Sequence, residues 1–352
     1  MNKSCIISAT HYVLPQTVLA DEELFERFGE KKIRGISKLS GIKSRRVVSA
    51  DVTAVDLGAE AAKRLIETEE LSRDDFDMLI LVTQTSDYRL PSGAFIIHDR
   101  LGMPETCGAF DINIGCPAMP YALSVARALV VSGQCKKIML VFAETITKLI
   151  NPNDRTLVPL HGDGAAAFVL EASDTDTGIE FCDLGAESSG WKHLIVPAGG
   201  MRLPSSAETA KETAAASGAV CSQDDLQMNG AAIFHFSISK IPEEIKKSLA
   251  KHSRKISDYK LVLLHQANKM MVEQIYSIIG AADEQKFFFM EDIGNLSVAS
   301  SPVLLAEALR QGKLAEGGRV LGAAFGVGLS WGVFSIDFAP HSVKASNAST
   351  EY

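Results

Sequence analysis

The chain has 352 residues, of which 46% are hydrophobic and 22% are charged, and its formal net charge is −8. This composition supports a large buried core and fits one large domain or two fused halves. The negative charge argues against a binder of nucleic acid or anionic membranes, and no apolar run approaches the roughly 20 residues of a membrane span. The N-terminal segment is typical of a strand and lacks a signal-peptide pattern, so we expect a cytoplasmic protein.

Short apolar runs alternate with helical patterns along the first half of the chain. The runs typical of buried strands cover residues 77–83, 107–114, 137–144 and 165–172. The helical patterns cover residues 54–68, 91–102 and 117–133. Gly102 and Gly133 stand where helix C-terminal glycines belong. This alternation predicts sheets with helices packed on their faces.

The second half of the chain repeats this order. Segment 258–268 resembles segment 76–86, and segment 294–312 resembles segment 115–133 with the same offset at both ends. Two unrelated strand–helix units can share such a pattern by chance, but element order and spacing favour an internal duplication. We therefore predict an N-terminal half at 1–175, a C-terminal half at 176–340 and a disordered tail at 341–352.

One segment interrupts the pattern. Residues 203–225 are rich in Ala, Ser and Thr and have little apolar periodicity. Such a segment is typical either of a mobile cap over a binding site or of a tolerated surface insertion, and the sequence leaves both interpretations open.

Cys116 is the cysteine whose surroundings indicate chemistry. The six cysteines have irregular spacing and no CxxC pair, so we expect reduced thiols rather than disulfides or zinc ligands. Cys116 follows a strand-like run, between Gly115 and Pro117, at the start of a helical pattern. Pro117 suits the first helical position, and the helix N-terminus would favour a thiolate. This predicts a nucleophile, against the simpler interpretation of a small core residue.

Two polar residues of the second half strengthen this prediction. His265 ends an apolar strand, at the sheet edge where α/β proteins place their sites, although histidines also occur in cores. Asn295 aligns with Cys116 under the repeat, although an asparagine there also suits a helix N-cap. Because a duplicated fold brings equivalent helix starts together, we expect the three side chains to share one pocket.

These motifs together resemble the β-ketoacyl-acyl carrier protein synthase III family of thiolase-like condensing enzymes. The resemblance is carried by GCPAMPYAL at 115–123, GDGAAAFVL at 162–170, HQAN at 265–268, GNLSVAS at 294–300 and GVGLSWG at 326–332. It implies an α/β protein with the thiolase-like αβαβα five-layer fold, built from two duplicated halves. It also implies a homodimer, acyl-CoA or an acyl carrier protein as the partner that brings the thioester, and neither cofactor nor metal.

The resemblance also implies a mechanism. Cys116 would take an acyl group from a thioester, and His265 and Asn295 would hydrogen-bond the enolate formed from a malonyl- or β-ketoacyl-thioester. The backbone N–H groups of Cys116 and Val327 would form the oxyanion hole. We expect a role in specialised lipid or secondary-metabolite biosynthesis. Two alternatives stay open, namely acyl transfer to a non-malonyl nucleophile on the same scaffold and a silent partner subunit.

The chain departs from the family at the expected CoA entrance. Gly35, Leu39 and Met270 stand where the family has a tryptophan and two arginines, whereas Arg155 keeps its place. Losing an indole and two guanidiniums removes stacking on adenine and pairing with phosphates, so we expect a donor on another carrier or in a different pose. By the same resemblance, Arg155 and Asn268 would bind the substrate or its carrier.

A basic segment offers a surface for a carrier protein. Residues 241–260 carry more cations than anions, and we predict that Lys247 and Arg254 bind an acidic acyl carrier protein. The simpler interpretation is an ordinary solvated helix.

The length of the acyl group depends on a tunnel that the sequence does not define. We expect Phe95, Ile96 and segment 203–225 to contribute to its wall. A second local departure from the family is Val327, which replaces a glycine that is common at this position.

Overall fold

Two β-sheets with helices between them and on both outer faces organise the chain. The computed structural model describes residues 4–215 and 219–350. The elements of the first half are β1 Ser4–Leu14, β2 Val18–Ala20, α1 Asp21–Phe28, α2 Glu30–Ser40, β3 Ser44–Arg46, α3 Ala54–Thr68, β4 Met78–Val82, α4 Gly93–Leu101, β5 Gly108–Ile112, α5 Ala118–Val131, β6 Lys137–Glu144 and β7 Gly164–Ser173. The strands and helices predicted for this half are confirmed, with ends that differ by at most two residues.

The second half contains the remaining elements. They are β8 Gly178–Ala186, β9 Leu194–Ile195, β10 Thr213–Ala214, β11 Val220–Cys221, β12 Gln227–Met228, α6 Gly230–Lys251, β13 Leu261–Leu264, α7 Lys269–Ile279, α8 Ser300–Arg310, β14 Gly318–Gly326, β15 Ser330–Phe338 and β16 Lys344–Ser349. The chain passes from the first large sheet to the second between Ser173 and Gly178.

The two large sheets repeat one strand order. The first sheet is ordered β16-β1-β7-β6-β4-β5 and the second is ordered β13-β14-β15-β8. In each sheet two parallel strands, β4 with β6 and β13 with β14, are followed by two antiparallel neighbours. A single parallel bridge between Val262 and Lys286 takes the place of β5 in the second sheet. This equivalence supports the predicted duplication.

The helices complete five layers. Leu57 of α3 and Ile97 of α4 pack against Val141 on the outer face of the first sheet. Helices α5 and α8 lie between the sheets, in one core with residues of both, and α6 and α7 cover the second sheet. Both faces of each sheet are therefore covered, which explains why the strands are near-continuous apolar runs. The predicted αβαβα architecture is confirmed. Within the described residues, no helix combines the length and apolar character needed to cross a bilayer.

The prediction of a disordered tail at 341–352 is wrong for its described part. Strand β16 pairs in parallel with β1, from Ala9 opposite Lys344 to Leu14 opposite Ser349. Asn347 Nδ2 donates to the Tyr12 hydroxyl at 3.0 Å. The tail needs no apolar periodicity, because it is held by backbone hydrogen bonds. These bonds pair the N–H and C=O groups along an edge of β1 that would otherwise be free. Residues 351–352 lie outside the described part.

Segment 203–225 and the residue after it are hydrogen-bonded to the loop that follows β6. Leu226 N–H, next to the segment, donates to Leu149 O at 2.6 Å. Asn151 Nδ2 donates to Glu212 Oε1 at 2.8 Å and to Asp225 Oδ2 at 3.0 Å. Residues 216–218, at its centre, lie outside the described residues. The described part is thus a folded cover over residues 149–151.

Candidate active site

A cavity of about 480 Å³ lies where β5, β13 and β14 end. Its wall includes Cys116, His265 and Asn295, the three residues predicted to share a pocket, and also Val327. Cys116 follows β5, His265 follows β13 directly, and Val327 follows β14 directly. One strand end of the first sheet and two of the second therefore bring together residues that are far apart in sequence.

Two glycines let the Cys116 sulfur lie against the backbone. A Cβ atom on Gly115 would lie 2.2 Å from Gln84 Oε1 and 2.3 Å from Val327 Cγ1, so no side chain fits there. Gly326 has φ 155°, and a Cβ atom on it would lie 2.7 Å from Cys116 Sγ. Pro117 is the N-cap of α5 rather than its first residue, because the helix begins at Ala118.

Burial and hydrogen bonding act in opposite directions on the Cys116 thiol. Burial is the largest influence and raises its pKa, and the nearby Glu144 carboxylate raises it further. Hydrogen bonding from the backbone N–H groups of Val327 and Cys116 and from the Ser297 hydroxyl lowers the pKa. The donors at the helix start favour the thiolate, as predicted, but desolvation outweighs them and the net shift of the pKa is upward. The same two backbone N–H groups are the ones predicted for an oxyanion hole.

Asn295 presents its amide nitrogen to the cavity. Its Oδ1 accepts hydrogen bonds from Ser297 N–H at 3.0 Å and from Ser300 Oγ at 3.0 Å. With the oxygen used in this way, the NH₂ group is left as the donor that faces the cavity. The N-cap of α8 is Ala299, so the capping interpretation of Asn295 is wrong; its Oδ1 instead bonds the turn at Ser297, which is compatible with the predicted functional role of its amide nitrogen.

His265 is a neutral imidazole. It is 1% exposed, and burial, with a smaller contribution from His161, lowers its pKa to about 3. In the described part of the chain neither of its ring nitrogens has a hydrogen-bond partner. The ring therefore has one N–H that can be donated to a ligand in the cavity.

Sequence reasoning missed His161, which also lines the cavity. The residue forms a parallel bridge with Asn295, and its Nδ1 lies 3.1 Å from Leu157 O. Burial lowers the pKa of its imidazole. Its only signal in the sequence is its position directly before the GDG motif at 162–164.

Sequence reasoning also missed Glu144, which ends β6. The carboxyl is fully buried, accepts a hydrogen bond from the Thr85 hydroxyl, and lies 3.5 Å from the Thr83 hydroxyl. Burial raises the pKa of Glu144 to about 7. An acidic residue that ends an otherwise apolar strand is the signal that indicates such a group.

An apolar wall extends the cavity away from the polar groups. It consists of Ile146, Leu149, Leu194, Ile195, Val196, Leu226, Met228 and Ile233. Phe95 and Ile96, which were expected in the tunnel, do not line the cavity, because α4 lies on the outer face of the first sheet. The 203–225 segment contributes Asp224 to the wall.

The structure does not bring Arg155 or Asn268 into the cavity wall. Arg155 is partly buried in the loop before β7. Asn268 caps α7, since its Oδ1 accepts from Met271 N–H at 3.2 Å. Its neighbours Ala267 and Met271 line the cavity instead.

Lys247 and Arg254 lie away from the cavity. Lys247 forms ion pairs with Glu243 at 2.5 Å and Glu244 at 3.0 Å on its own helix. Arg254 pairs with Glu180 at 2.5 Å, and Glu180 also binds Arg319 at the start of β14. The cavity lies at the opposite end of β14, after Gly326.

The chain is similar to known condensing enzymes over nearly its full length. Residues 110–190 match the sequence model of 3-oxoacyl-[acyl-carrier-protein] synthase III, and residues 249–338 match the model of its C-terminal part. The β-ketoacyl-[acyl-carrier-protein] synthase III of Caldanaerobacter subterraneus is 33% identical over 325 residues, which cover 92% of this chain and 95% of that protein. The enzyme of the same name from Clostridium perfringens is 34% identical over 314 residues, which cover 89% and 93%.

A solved structure shows the same relationship. The 3-oxoacyl-(acyl-carrier protein) synthase of Burkholderia xenovorans is 30% identical, covers 99% of this chain and 98% of its own, and superposes with a TM-score of 0.91. Sequence and fold agree over the whole length of both proteins. The chain therefore belongs to the β-ketoacyl-[acyl-carrier-protein] synthase III family of thiolase-like condensing enzymes.

Proposed function

We propose that this chain joins an acyl group, held as a thioester on Cys116, to a second thioester by Claisen condensation. One observation carries the proposal: the Cys116 sulfur lies beside two backbone N–H groups, in the same cavity as neutral imidazole and amide donors. A nucleophile and oriented donors for developing negative charge are the parts that acyl transfer requires.

In the first half-reaction the Cys116 thiol attacks the carbonyl carbon of an acyl thioester. The carbonyl oxygen becomes an oxyanion, which takes the hydrogen bonds of the Cys116 and Val327 N–H groups that the sulfur holds at rest. The tetrahedral intermediate then expels the carrier thiolate, which takes the proton released by Cys116.

In the second half-reaction a malonyl-type thioester enters and loses CO₂. The electrons of the broken carbon–carbon bond form an enolate, whose oxygen accepts from the His265 N–H and the Asn295 Nδ2–H. Neutral donors suit this step because they stabilise the enolate without protonating its carbon. The carbanion attacks the acyl–Cys116 carbonyl, the sulfur leaves as thiolate and takes a proton from water, and a β-ketoacyl thioester departs.

The apolar wall supports an extended acyl chain as the group on Cys116. It is built by the turn at Ile146–Leu149 and by the paired strands β9 and β12. Burying methylene groups against such a wall contributes about 0.8 kcal/mol each, so affinity should rise with chain length until the wall ends. We expect the product to enter specialised lipid or secondary-metabolite biosynthesis.

The proposed partner is an acyl carrier protein, with acyl-CoA as the alternative donor. The entrance residues Leu39 and Met270 are exposed and carry no charge for CoA phosphates, which supports a carrier-borne thioester. The cations Lys247 and Arg254 stay candidates for the docking surface although they are ion-paired and distant from the cavity. The exposed Lys32 and Lys38 of α2, which packs beside the start of α7, offer a nearer surface.

Charge-reversal variants test which of these two surfaces binds the carrier protein. We expect the pair Lys32→Glu and Lys38→Glu to lower turnover of carrier-bound substrates by about tenfold while sparing small thioester mimics, because charge steers encounter more than chemistry. The pair Lys247→Glu and Arg254→Glu is the matched comparison, and a larger loss in that pair would place docking on α6 and the loop that follows it.

We propose a cytoplasmic homodimer. Leu90 and Tyr88 are 82% and 63% exposed on the loop before α4, and large apolar side chains of this kind are typical of an interface. Light scattering of the purified chain tests this, and a monomer at micromolar concentration would contradict it.

Intact-mass spectrometry tests the condensing function directly. The protein is incubated with acyl-CoA and acyl carrier protein thioesters of increasing chain length, and an adduct of one acyl mass is expected on Cys116. Cys116→Ala should abolish the adduct, whereas Cys221→Ala, a thiol outside the cavity wall, should retain it. Adding a malonyl thioester should then discharge the adduct with release of CO₂.

An absence of adduct with every donor would contradict the proposal and favour a silent partner subunit. An adduct that discharges onto other nucleophiles but never onto a malonyl thioester would favour simple acyl transfer.

A further inference from the structure

His161 stands beside Asn295 in the cavity wall. The two residues are opposite each other in a parallel bridge, with Asn295 N–H donating to Leu160 O at 2.8 Å and Gly162 N–H donating to Asn295 O at 3.1 Å. Residues paired in this way direct their side chains to the same side, and both side chains line the cavity. The imidazole is thus a neighbour of the amide donor proposed to hold an enolate.

The hydrogen bond at Nδ1 fixes the tautomer of His161. Leu157 O, 3.1 Å away, can only accept, so Nδ1 carries the proton and donates. Burial lowers the pKa of the imidazole, so the ring is neutral at pH 7. A neutral ring with its proton on Nδ1 has a lone pair on Nε2, and His161 therefore brings a basic acceptor to a site otherwise rich in donors.

The other polar groups of the wall have partners or roles of their own. Asp224 accepts from the Thr209 hydroxyl at 3.1 Å, and the Oδ1 of Asn295 is held by Ser297 and Ser300. His265 is required as a donor to the enolate. Decarboxylation of a malonyl thioester needs no base, because the leaving CO₂ supplies the electron pair. A base beside the enolate donors is useful when the second thioester has no carboxylate to lose.

We propose that His161 is a general base that removes an α-proton from a saturated acyl thioester, so that this site also forms enolates without decarboxylation. The inference rests on the proposed function, since it uses the same acyl–Cys116 and the same enolate donors. It identifies the second substrate class as thioesters with an acidic α C–H group and no β-carboxylate.

The step balances in protons and electrons. Nε2 of His161 takes the α-proton, and the C–H electrons move to the carbonyl oxygen, which accepts from Asn295 and His265. The enolate carbon attacks the acyl–Cys116 carbonyl, forming one carbon–carbon bond and breaking the carbon–sulfur bond to Cys116. The thiolate takes a proton back from the His161 imidazolium through the cavity. The net reaction transfers the acyl group and regenerates the thiol, with no oxidant or metal required.

Deuterium exchange tests the first step without requiring condensation. Octanoyl-CoA and octanoyl-acyl carrier protein are each incubated with the protein in D₂O, and incorporation at the α-carbon is followed by mass spectrometry. Wild-type protein is expected to exchange the α-protons well above the buffer rate. His161→Phe, which keeps an aromatic ring but has no base, is expected to slow exchange about 100-fold or more. His235→Phe, at an exposed histidine outside the cavity wall, is the matched control and should exchange like the wild type.

A second variant and a parallel assay distinguish a failure of the role of His161 from a failure of the proposed condensing function. His161→Gln keeps a polar side chain without a basic nitrogen and serves if His161→Phe does not fold. Each sample is also assayed for decarboxylation of a malonyl thioester. Wild-type protein that decarboxylates but shows no α-exchange would overturn this inference and leave the proposed function intact. Exchange that persists in both His161 variants would overturn the assignment to His161. Exchange without acyl adduct or decarboxylation would instead overturn the proposed function.

Discussion

The two helix starts of the central layer occupy equivalent places in the duplicated halves and carry complementary chemistry. Before α5, backbone N–H groups donate to the Cys116 sulfur. Before α8, the direction is reversed, because the side-chain oxygen of Asn295 accepts from the Ser297 N–H and leaves its amide nitrogen for the cavity. One scaffold thus presents a nucleophile on one side and a donor on the other. Duplication supplied the two facing positions, and single side chains made them different.

The substitution with the largest expected effect replaces the hydrogen-bond donor at position 295 by an acceptor. Asn295→Asp keeps an oxygen for Ser297 and Ser300 but replaces the NH₂ group by a second acceptor, which would repel an enolate. We expect CO₂ release from a malonyl thioester to fall about 10³-fold, at the upper end of the effect of losing one such donor. Acyl loading of Cys116, which does not use this donor, should fall far less.

Asn295→Ala is the companion variant. It loses the donor without adding repulsion, so its decarboxylation rate should lie between those of the wild type and Asn295→Asp. Equal losses of acyl loading and decarboxylation in Asn295→Asp would contradict a specific role in the second half-reaction.

A second comparison concerns the strands that lead to the cavity. Strand β6 ends at the buried carboxyl of Glu144, whereas the equivalent strand β14 ends at Gly326. The pKa of Glu144 is raised to about 7 from the ordinary 4.5, so the folded protein holds this proton over a range in which the unfolded chain has lost it. The free energy of unfolding should therefore fall as pH rises from 4.5 to 7.

Glu144→Gln should remove this contribution. Relative to the wild type, the variant should gain on the order of 3 kcal/mol between pH 5 and pH 8, measured by urea unfolding at both pH values. Glu30→Gln, at a carboxylate that is 60% exposed, is the control. Parallel pH profiles for Glu144→Gln and the wild type would show that the buried carboxyl is ionised throughout.

The element order and the pairing of Cys116 with Asn295 could be predicted from the sequence, because both depend on local pattern and on the repeat. Properties that arise only from packing could not be predicted. The raised pKa of Cys116 follows from burial. Arg254 lies far from the cavity because its partner Glu180 also binds Arg319 at the start of β14, whereas the cavity is at the other end of that strand. Strand β16 escaped prediction because its pairing uses backbone groups, and His161 because one histidine before a glycine has no periodic signal.

Strand β16 is also where the two sheets differ most. Strand β1 has a neighbour on each side, whereas its counterpart β8 ends the second sheet. Ending the chain after Val343 should lower the free energy of unfolding by about 2–3 kcal/mol, since several net hydrogen bonds of about 0.5–1.5 kcal/mol each are lost. Thermal unfolding measures the loss. Asn347→Ala, which removes only the bond to Tyr12, should cost about 1 kcal/mol, and an unchanged melting temperature on truncation would contradict the pairing.

The smallest expected effect is on the reactivity of the Cys116 thiol and concerns Ser297. In the repeat, Asn295 corresponds to Cys116, and two residues further along Ser297 corresponds to Ala118. The Ser297 hydroxyl donates to the Cys116 sulfur, so the second half contributes a donor that the first half lacks. Ser297→Ala should raise the pKa of the thiol by about one unit and slow alkylation by iodoacetamide about tenfold near pH 8, with the same plateau at high pH. Because Ser297 has φ 50°, Ser297→Gly tests the same loss without backbone strain. Ser300→Ala is the control, since that hydroxyl bonds to Asn295 rather than to sulfur. If both Ser297 variants alkylate with the wild-type pH profile, the thiolate is held by the backbone N–H groups alone.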